Sequence, residues 1–318
     1  MKNFEERNDQ LSKEAHRLYK EDRLLDAANL LRQINPTSML TEKEIEILES
    51  AKQYEAFFQP FLSSATGAGN SDANSPWLSL INQKIHGYQT DIQYFMKRDE
   101  VNQNDFVLDM KINTLLPDTS LVSPLLALLN ESDLYSTWLP YWDLPRIQIS
   151  QSKQLKQMGR CSQVVQIVLD LPWPVYAREF VLEGVAVDNI DQEDNPNIAI
   201  RLKTLHTGDI RDDFVVGAPD PNRVRVDFNG GFLFHQPTSV KGIMLSFFYK
   251  FENEGSYYPE SLIKFGIRIG AQFGWGRFLK AAEEVRDGQR PLHGDRIIQK
   301  RKTLYNWVDE RVSILSKE

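Results

Sequence analysis

Asp170-Leu171-Pro172-Trp173-Pro174-Val175-Tyr176-Ala177-Arg178-Glu179-Phe180-Val181 is the stretch on which the reading of this chain turns. Two prolines within three residues remove two backbone donors and fix φ, so 171–176 reads as a turn and not as part of a ladder. The runs on either side, 162–170 and 178–188, are rich in Val, Ile, Leu and Phe and read as strands. Working outward, further strands are expected at 146–157, 197–206, 223–228, 231–236 and 240–252, with Asn229-Gly230-Gly231 as one of the turns. Upstream, strands are expected at 86–97 and 105–115, where Phe106-Val107-Leu108-Asp109-Met110-Lys111-Ile112 partly alternates. Short helices are read at 77–84, 121–129 and 131–137. A long helix follows from about Pro259 to Arg286, with proline in its first turn and Asp287-Gly288 as its stop. A mainly antiparallel sheet ending in one long helix is an α+β plan.

Both ends of the chain are helical in pattern. Leu11, Ala15 and Leu18, then Ala27, Ala28, Leu30, Leu31 and Ile34, recur at helical spacing, which predicts an antiparallel helical hairpin. A lone hairpin cannot bury its own apolar face, so it must pack elsewhere or dock a partner. Thr41 and Glu44 form a capping-box pattern for a helix over 42–59. Ile297, Arg301, Leu304, Val308, Val312 and Leu315 form the stripe of an amphipathic tail helix, expected to dock on the N-terminal helices or to lie on a membrane surface. Gly266, Gly270 and Gly274 lie four apart in the long helix, each about 1 kcal/mol worse than alanine there. Close packing or bending of that helix would account for them.

The composition excludes several classes of function. The chain has 318 residues with 25% charged and 41% hydrophobic, and a net charge of -7. That balance argues against a general nucleic-acid binder, whose affinity rests on cations facing phosphates. One cysteine, Cys161, rules out an intramolecular disulfide and every multi-cysteine zinc pattern. The start of the chain has no apolar core of a secretory signal, and no run approaches the ~18–20 apolar residues of a membrane span, so the cytosol is the expected compartment. No phosphate-binding glycine loop, nucleophile elbow or zincin motif occurs, and the five histidines show no metal-ligand spacing. No catalytic residue, metal or cofactor is expected.

The Pro-Trp-Pro turn followed by Arg178-Glu179-Phe180 resembles the signature of the START (StAR-related lipid transfer) family, which carries Arg-Asp-Phe there. Three further stretches resemble the family in the same order. They are Glu131-Ser132-Asp133-Leu134-Tyr135-Ser136-Thr137-Trp138, Val224-Arg225-Val226 before Gly230-Gly231-Phe232, and Phe251-Glu252-Asn253-Glu254-Gly255-Ser256-Tyr257-Tyr258-Pro259. The resemblance implies a helix-grip fold, a curved antiparallel sheet wrapped on a long C-terminal helix, over about 76–288. A helical extension (1–62), a linker (63–75) and an amphipathic C-terminal helix (289–318) complete the expected organisation. Tyr135-Ser136-Thr137 stands where phosphatidylcholine-binding members carry an arginine, so the resemblance implies a lipid ligand without choosing among sterol, phospholipid and sphingolipid.

A sheet gripped by a glycine-rich helix leaves room for an apolar ligand, with Phe265, Ile269 and Phe273 as candidate lining. Each buried methylene is worth about 0.8 kcal/mol, so a dozen retain a lipid firmly. Arg178 is the candidate to hold a headgroup, a structural ion pair being the alternative. Asp109 and Arg201 follow on the same logic. The loop near 214–223 is either a gate or an ordinary surface loop. The leading expectation is non-catalytic binding of one lipid, with transfer or sensing at a transient membrane contact. The alternatives are a lipid-regulated scaffold that binds a protein partner through the N-terminal helices, and a helix-grip enzyme acting on an apolar substrate.

Overall fold

The computed structural model describes residues 2–34, 40–65, 77–98, 105–139, 142–143, 146–192, 195–237, 240–253 and 260–316. The linker expected at 63–75 lies outside them from residue 66 on, as does the 254–259 part of the approach to the long helix. Three helices come first: α1 (Lys2–Lys20), α2 (Leu24–Leu31) and α3 (Glu42–Ala65). A meander of β1 (Leu78–Ile85), β2 (Tyr88–Arg98) and β3 (Phe106–Leu116) leads to α4 (Val122–Asn130) and a 3-10 turn over Ser132–Thr137. Then come β4 (Trp142–Asp143), β5 (Arg146–Gln157), β6 (Gln163–Asp170), β7 (Ala177–Asp188) and β8 (Asn197–Thr204). A small hairpin of β9 (Ile210–Arg211) and β10 (Phe214–Val215) precedes β11 (Arg223–Arg225), β12 (Asn229–His235) and β13 (Ile243–Asn253). The long helix α5 (Glu260–Arg286) is followed by α6 (Pro291–Gln299), a π-helical turn (Arg301–Tyr305) and α7 (Asn306–Leu315).

The main sheet is large, curved and antiparallel, in the order β1-β2-β3-β13-β12-β8-β7-β6-β5-β4. β11 joins it in parallel beside the start of β7, setting Val224 against Arg178 and Arg225 against Glu179. Two of the stretches read together in the sequence thus touch in space. The Glu179 carboxylate is buried and pairs with the Arg225 guanidinium at 2.6 Å and the Arg223 guanidinium at 3.5 Å. Burial works against it, but these cations and the Gln166 amide prevail and hold its carboxyl below the usual range.

Helices cover both faces of the sheet. On the inner face, Ile112, Phe232, Phe234 and Leu245 pack with Leu125 and Leu128 of α4 and Phe278 and Leu279 of α5. On the outer face, Val185, Val187, Ala199, Leu233 and Phe248 pack with Ala15, Leu24, Ala27, Ala51 and Phe58 of α1–α3. The sheet therefore supplies the apolar surface that the N-terminal hairpin lacks. α3 begins as read from the sequence: the Glu44 carboxylate accepts from the Thr41 N–H at 2.6 Å, and the Thr41 hydroxyl accepts from the Glu44 N–H at 3.3 Å.

Two expectations are corrected. Residues 77–84 are not a helix but belong largely to β1, which pairs with β2 across a turn where His86 and Gly87 both have positive φ. The tail is not one helix but α6, a π turn and α7. It packs into the inner-face core through Leu304, Val308, Val312 and Leu315, away from α1–α3. Of the glycines four apart in α5, Gly270 has no atom outside the helix within 4 Å of a Cβ placed on it, so close packing does not account for that one; at Gly276 Ile85 comes to 3.4 Å. Among the described residues no helix is long and apolar enough to cross a membrane.

Candidate functional site

Between the inner face of the sheet, α4 and the tail lies a cavity. It has about 70 Å³ of room for the centre of a water-sized sphere and about 850 Å³ of empty space when its open mouth is included. One wall is the sheet. Ile198, Ile200 and Leu202 alternate along β8, as a strand with one face on a core requires, and Phe232 adjoins them on β12. The room comes from β7, where Gly184 and Ala186 stand at the positions facing the cavity. Leu126 and Leu129 of α4 form the opposite wall, and Leu304 and Val308 of the tail complete the enclosure.

Polar side chains reach the cavity but are mostly taken up by backbone groups and by other side chains. Gln163 donates to the Asn130 carbonyl at 2.9 Å and accepts from the Ser132 hydroxyl at 3.0 Å. The Tyr135 hydroxyl donates to the Leu129 carbonyl at 2.6 Å. Asp22, in the left-handed turn between α1 and α2, accepts from the Cys161 N–H at 2.6 Å and the Ser162 hydroxyl at 2.7 Å. Burial pushes the Asp22 carboxyl up to about 6 in spite of these donors, and burial also raises the Cys161 thiol well above its usual value. Arg311 holds Asp188 through Nε at 2.6 Å and Nη2 at 2.9 Å. What remains for a ligand is an apolar surface.

The tail is tied down by one buried carboxylate. Glu131 is 1% exposed and accepts from Lys300 at 2.8 and 2.9 Å and from the Tyr305 hydroxyl at 2.6 Å. That anchor fixes the π turn over the end of α4, and burial beside Glu131 raises Tyr305 well above the ordinary phenol range.

Of the residues singled out from the sequence, Arg201, Asp109 and Phe273 fall elsewhere. Arg201 lies on β8 between the cavity-facing Ile200 and Leu202, so it points to the outer face. There its guanidinium stacks 3.9 Å over the Phe57 ring, donates to the Gly230 carbonyl at 2.8 Å, and is lowered by burial to about 10. Asp109 lies between Leu108 and Met110, which join inner-face clusters, so its register position is also on the outer face, opposite Lys250. Phe273 is 45% exposed, because α5 buries the stripe of Trp275, Phe278, Leu279 and Ala282. The side chains of Phe265 and Ile269 lie outside the described residues.

Arg178 does share the face of Gly184 and Ala186 by strand register, but it stands at the far end of β7, beside the Trp173 turn. There its Nη1 donates to the Tyr176 carbonyl at 2.8 Å. The cavity walls from α4 and the tail were not singled out as a site from the sequence. Their only signal was the tail's own stripe, whose Leu304 and Val308 turn out to face the cavity. Among the described residues no group of three or more His, Cys, Asp or Glu side chains is placed to hold a metal ion.

No family model and no curated protein sequence matches this chain. Solved structures do. The crystal structure of human STARD10 aligns with a TM-score of 0.50 at 11% identity, covering 87% of this chain and 91% of its own. Human StAR-related lipid transfer protein 5 aligns with a TM-score of 0.48 at 11% identity, covering 74% and 98%. At such identity the likeness is one of architecture. It agrees with the large antiparallel sheet and the long helix after its last strand: the chain has a START-like, helix-grip fold.

Proposed function

We propose that this protein binds one lipid molecule in its internal cavity without catalysing a reaction, and that it takes up or senses that lipid at a membrane. The observation that carries the reading is an apolar cavity whose polar neighbours are mostly paired with other protein groups, a surface suited to hydrocarbon. The even-numbered positions of β7 lead from Ala186 and Gly184 through Leu182 and Phe180 to Arg178. Eight residues of strand span about 26 Å at ~3.3 Å each, a length that suits a lipid with its chain in the cavity and its headgroup near Arg178.

The Trp173 turn supports the membrane contact. Trp173 is 93% exposed, Tyr176 60% and Val175 44%, and Val224 of the adjoining β11 is 43% exposed. A cluster of large apolar side chains with two amphipathic aromatics suits the headgroup boundary of a bilayer.

Native mass spectrometry of the protein from a eukaryotic host, followed by solvent extraction, tests the reading directly. A stoichiometric lipid is expected, and an empty protein that takes up nothing from mixed liposomes would refute it. Ala186→Phe places a ring inside the cavity and is expected to abolish lipid retention while leaving the melting temperature within a few degrees. Undiminished retention would move the lipid elsewhere. Trp173→Ala, at a site with almost no intramolecular contact, is expected to weaken binding to phosphatidylserine-containing vesicles by roughly tenfold, which corresponds to 1.4 kcal/mol. Unchanged vesicle binding would remove this turn from the membrane contact.

A further inference from the structure

We infer that the C-terminal tail is the floor of the lipid site, that the ligand enters with the methyl end of an acyl chain leading, and that the tail sets how long a chain is accepted. The inference rests on the lipid-binding reading and adds to it the class of ligand and its direction. Leu304, Tyr305, Trp307, Val308 and Arg311 all border the cavity, and every one of them lies beyond the long helix that a helix-grip domain ends on. Asp22, from the other end of the chain, borders it as well.

The direction follows from how the floor's polar groups are used. Among the described residues bordering this end, the Asp22 carboxylate is taken up by the Cys161 and Ser162 backbone and the Ser162 hydroxyl. Asp188 is taken up by Arg311, which also reaches Asp191 at 3.0 Å. The Arg311 Nε makes no hydrogen bond but sits 2.6 Å from the Asp188 carboxylate, so a hydroxyl or headgroup brought here would leave water for little in return, whereas a methyl group loses nothing by arriving. Headgroup-first entry is therefore disfavoured, and with it a sterol seated on its hydroxyl.

The floor is also firm enough to act as a stop. The π turn brings two consecutive residues, Leu304 and Tyr305, inward together, both buried, with the Tyr305 N–H accepted by the Lys300 carbonyl at 3.2 Å. Glu131 anchors the turn on one side and the Arg311 pairs anchor α7 on the other. Arg160 stacks 4.3 Å over the Trp307 ring and closes the edge next to the β5–β6 hairpin.

The test is competition among even-chain saturated fatty acids and cholesterol for the full-length protein, read as bound species by native mass spectrometry. Wild type is expected to show one preferred chain length and to leave cholesterol unbound. Leu304→Ala removes three side-chain carbons from the floor and is expected to move the preference longer by about three carbons, since a close-packed site refills vacated space. Val308→Phe is expected to move it shorter, and because the two variants act in opposite directions, a fold defect in one cannot imitate the pair. Cholesterol outcompeting every fatty acid would overturn the direction. A wild type with a clear preference that neither variant moves would overturn the floor while leaving lipid binding intact. A wild type that holds no member of the set and no co-purified lipid would instead bring down the lipid-binding reading itself.

Discussion

Replacing Glu131 with alanine is expected to loosen the whole C-terminal tail. The wild-type carboxylate gathers Lys300, Tyr305 and Asn130 at a position 1% exposed, and α6, the π turn and α7 all hang from that point. Lys300 is 36% exposed and can turn to water, so little of the loss is a stranded charge. The larger part is the buried Tyr305 hydroxyl, left with a poorer partner, together with two charge-assisted hydrogen bonds, about 2–4 kcal/mol in all. For a chain of this size that corresponds to a fall in Tm of roughly 3–6 °C. Amide exchange across 300–315 is expected to speed up far more than exchange in β7 or β8, because the damage is local. Glu131→Gln keeps an acceptor for Tyr305 and is expected to recover about half of the loss. Equal exchange rates in the tail of Glu131→Ala and wild type would show that the tail is held by its apolar contacts alone.

Asp22→Ala is expected to be at least as damaging, and Asp22→Asn to change how stability depends on pH. Alanine removes the acceptor for two backbone N–H groups and a hydroxyl in a buried setting, and it sits poorly at a φ of 62°, so a loss of about 3–5 kcal/mol is expected. The pH effect has a definite sign. Burial raises the folded pKa to about 6 from 3.8, so the folded chain holds this proton more tightly than the unfolded chain does. The contribution of Asp22 is therefore fully favourable below pH 3.8 and is lost as pH rises through about 6, with a magnitude up to about 3 kcal/mol. Glu179, Glu44 and Asp191 are shifted downward and lose stability in the opposite direction as pH falls. The difference between wild type and Asp22→Asn in denaturant melts at several pH values isolates the one group. A difference that stays flat between pH 4 and 7 would show that Asp22 titrates alike in both states.

Much of the fold was legible because local chemistry and overall plan agreed. The two prolines of 171–176 could only make a turn, Thr41 and Glu44 could cap only one helix, and the Val-Arg strand at 223–225 does lie against Arg178-Glu179. The failures have physical causes. β1 carries a register shift between Ser79 and Ile81, which breaks strand alternation and leaves Leu78, Ile81 and Ile85 at helical spacing. The tail's stripe showed that it must dock, but amphipathicity does not encode which surface receives it.

The site was the least legible part. Alternation tells inside from outside only when one face of a strand meets water. Along β8 both faces are covered, Ile200 by the cavity side and Arg201 by Phe57 of α3, so the orientation of Arg201 could not be read until α1–α3 were placed. The cavity itself is a gap between the sheet, α4 and the tail, which lie far apart in sequence, and its clearest local sign, Gly184 and Ala186 at alternate positions of β7, also fits ordinary packing.

The helices on the outer face of the sheet have a consequence for synthesis. Ala15, Leu24, Ala27, Ala51 and Phe58 are made first, yet the strands that cover them begin with Val185 and end with Phe248. At ~5–20 residues per second, the ribosome leaves that apolar face without its partner for on the order of ten seconds. The nascent chain therefore passes through a stage in which a sticky helical bundle waits for a sheet still being translated. Newly made protein should accordingly depend on chaperones far more than the finished molecule's stability would suggest.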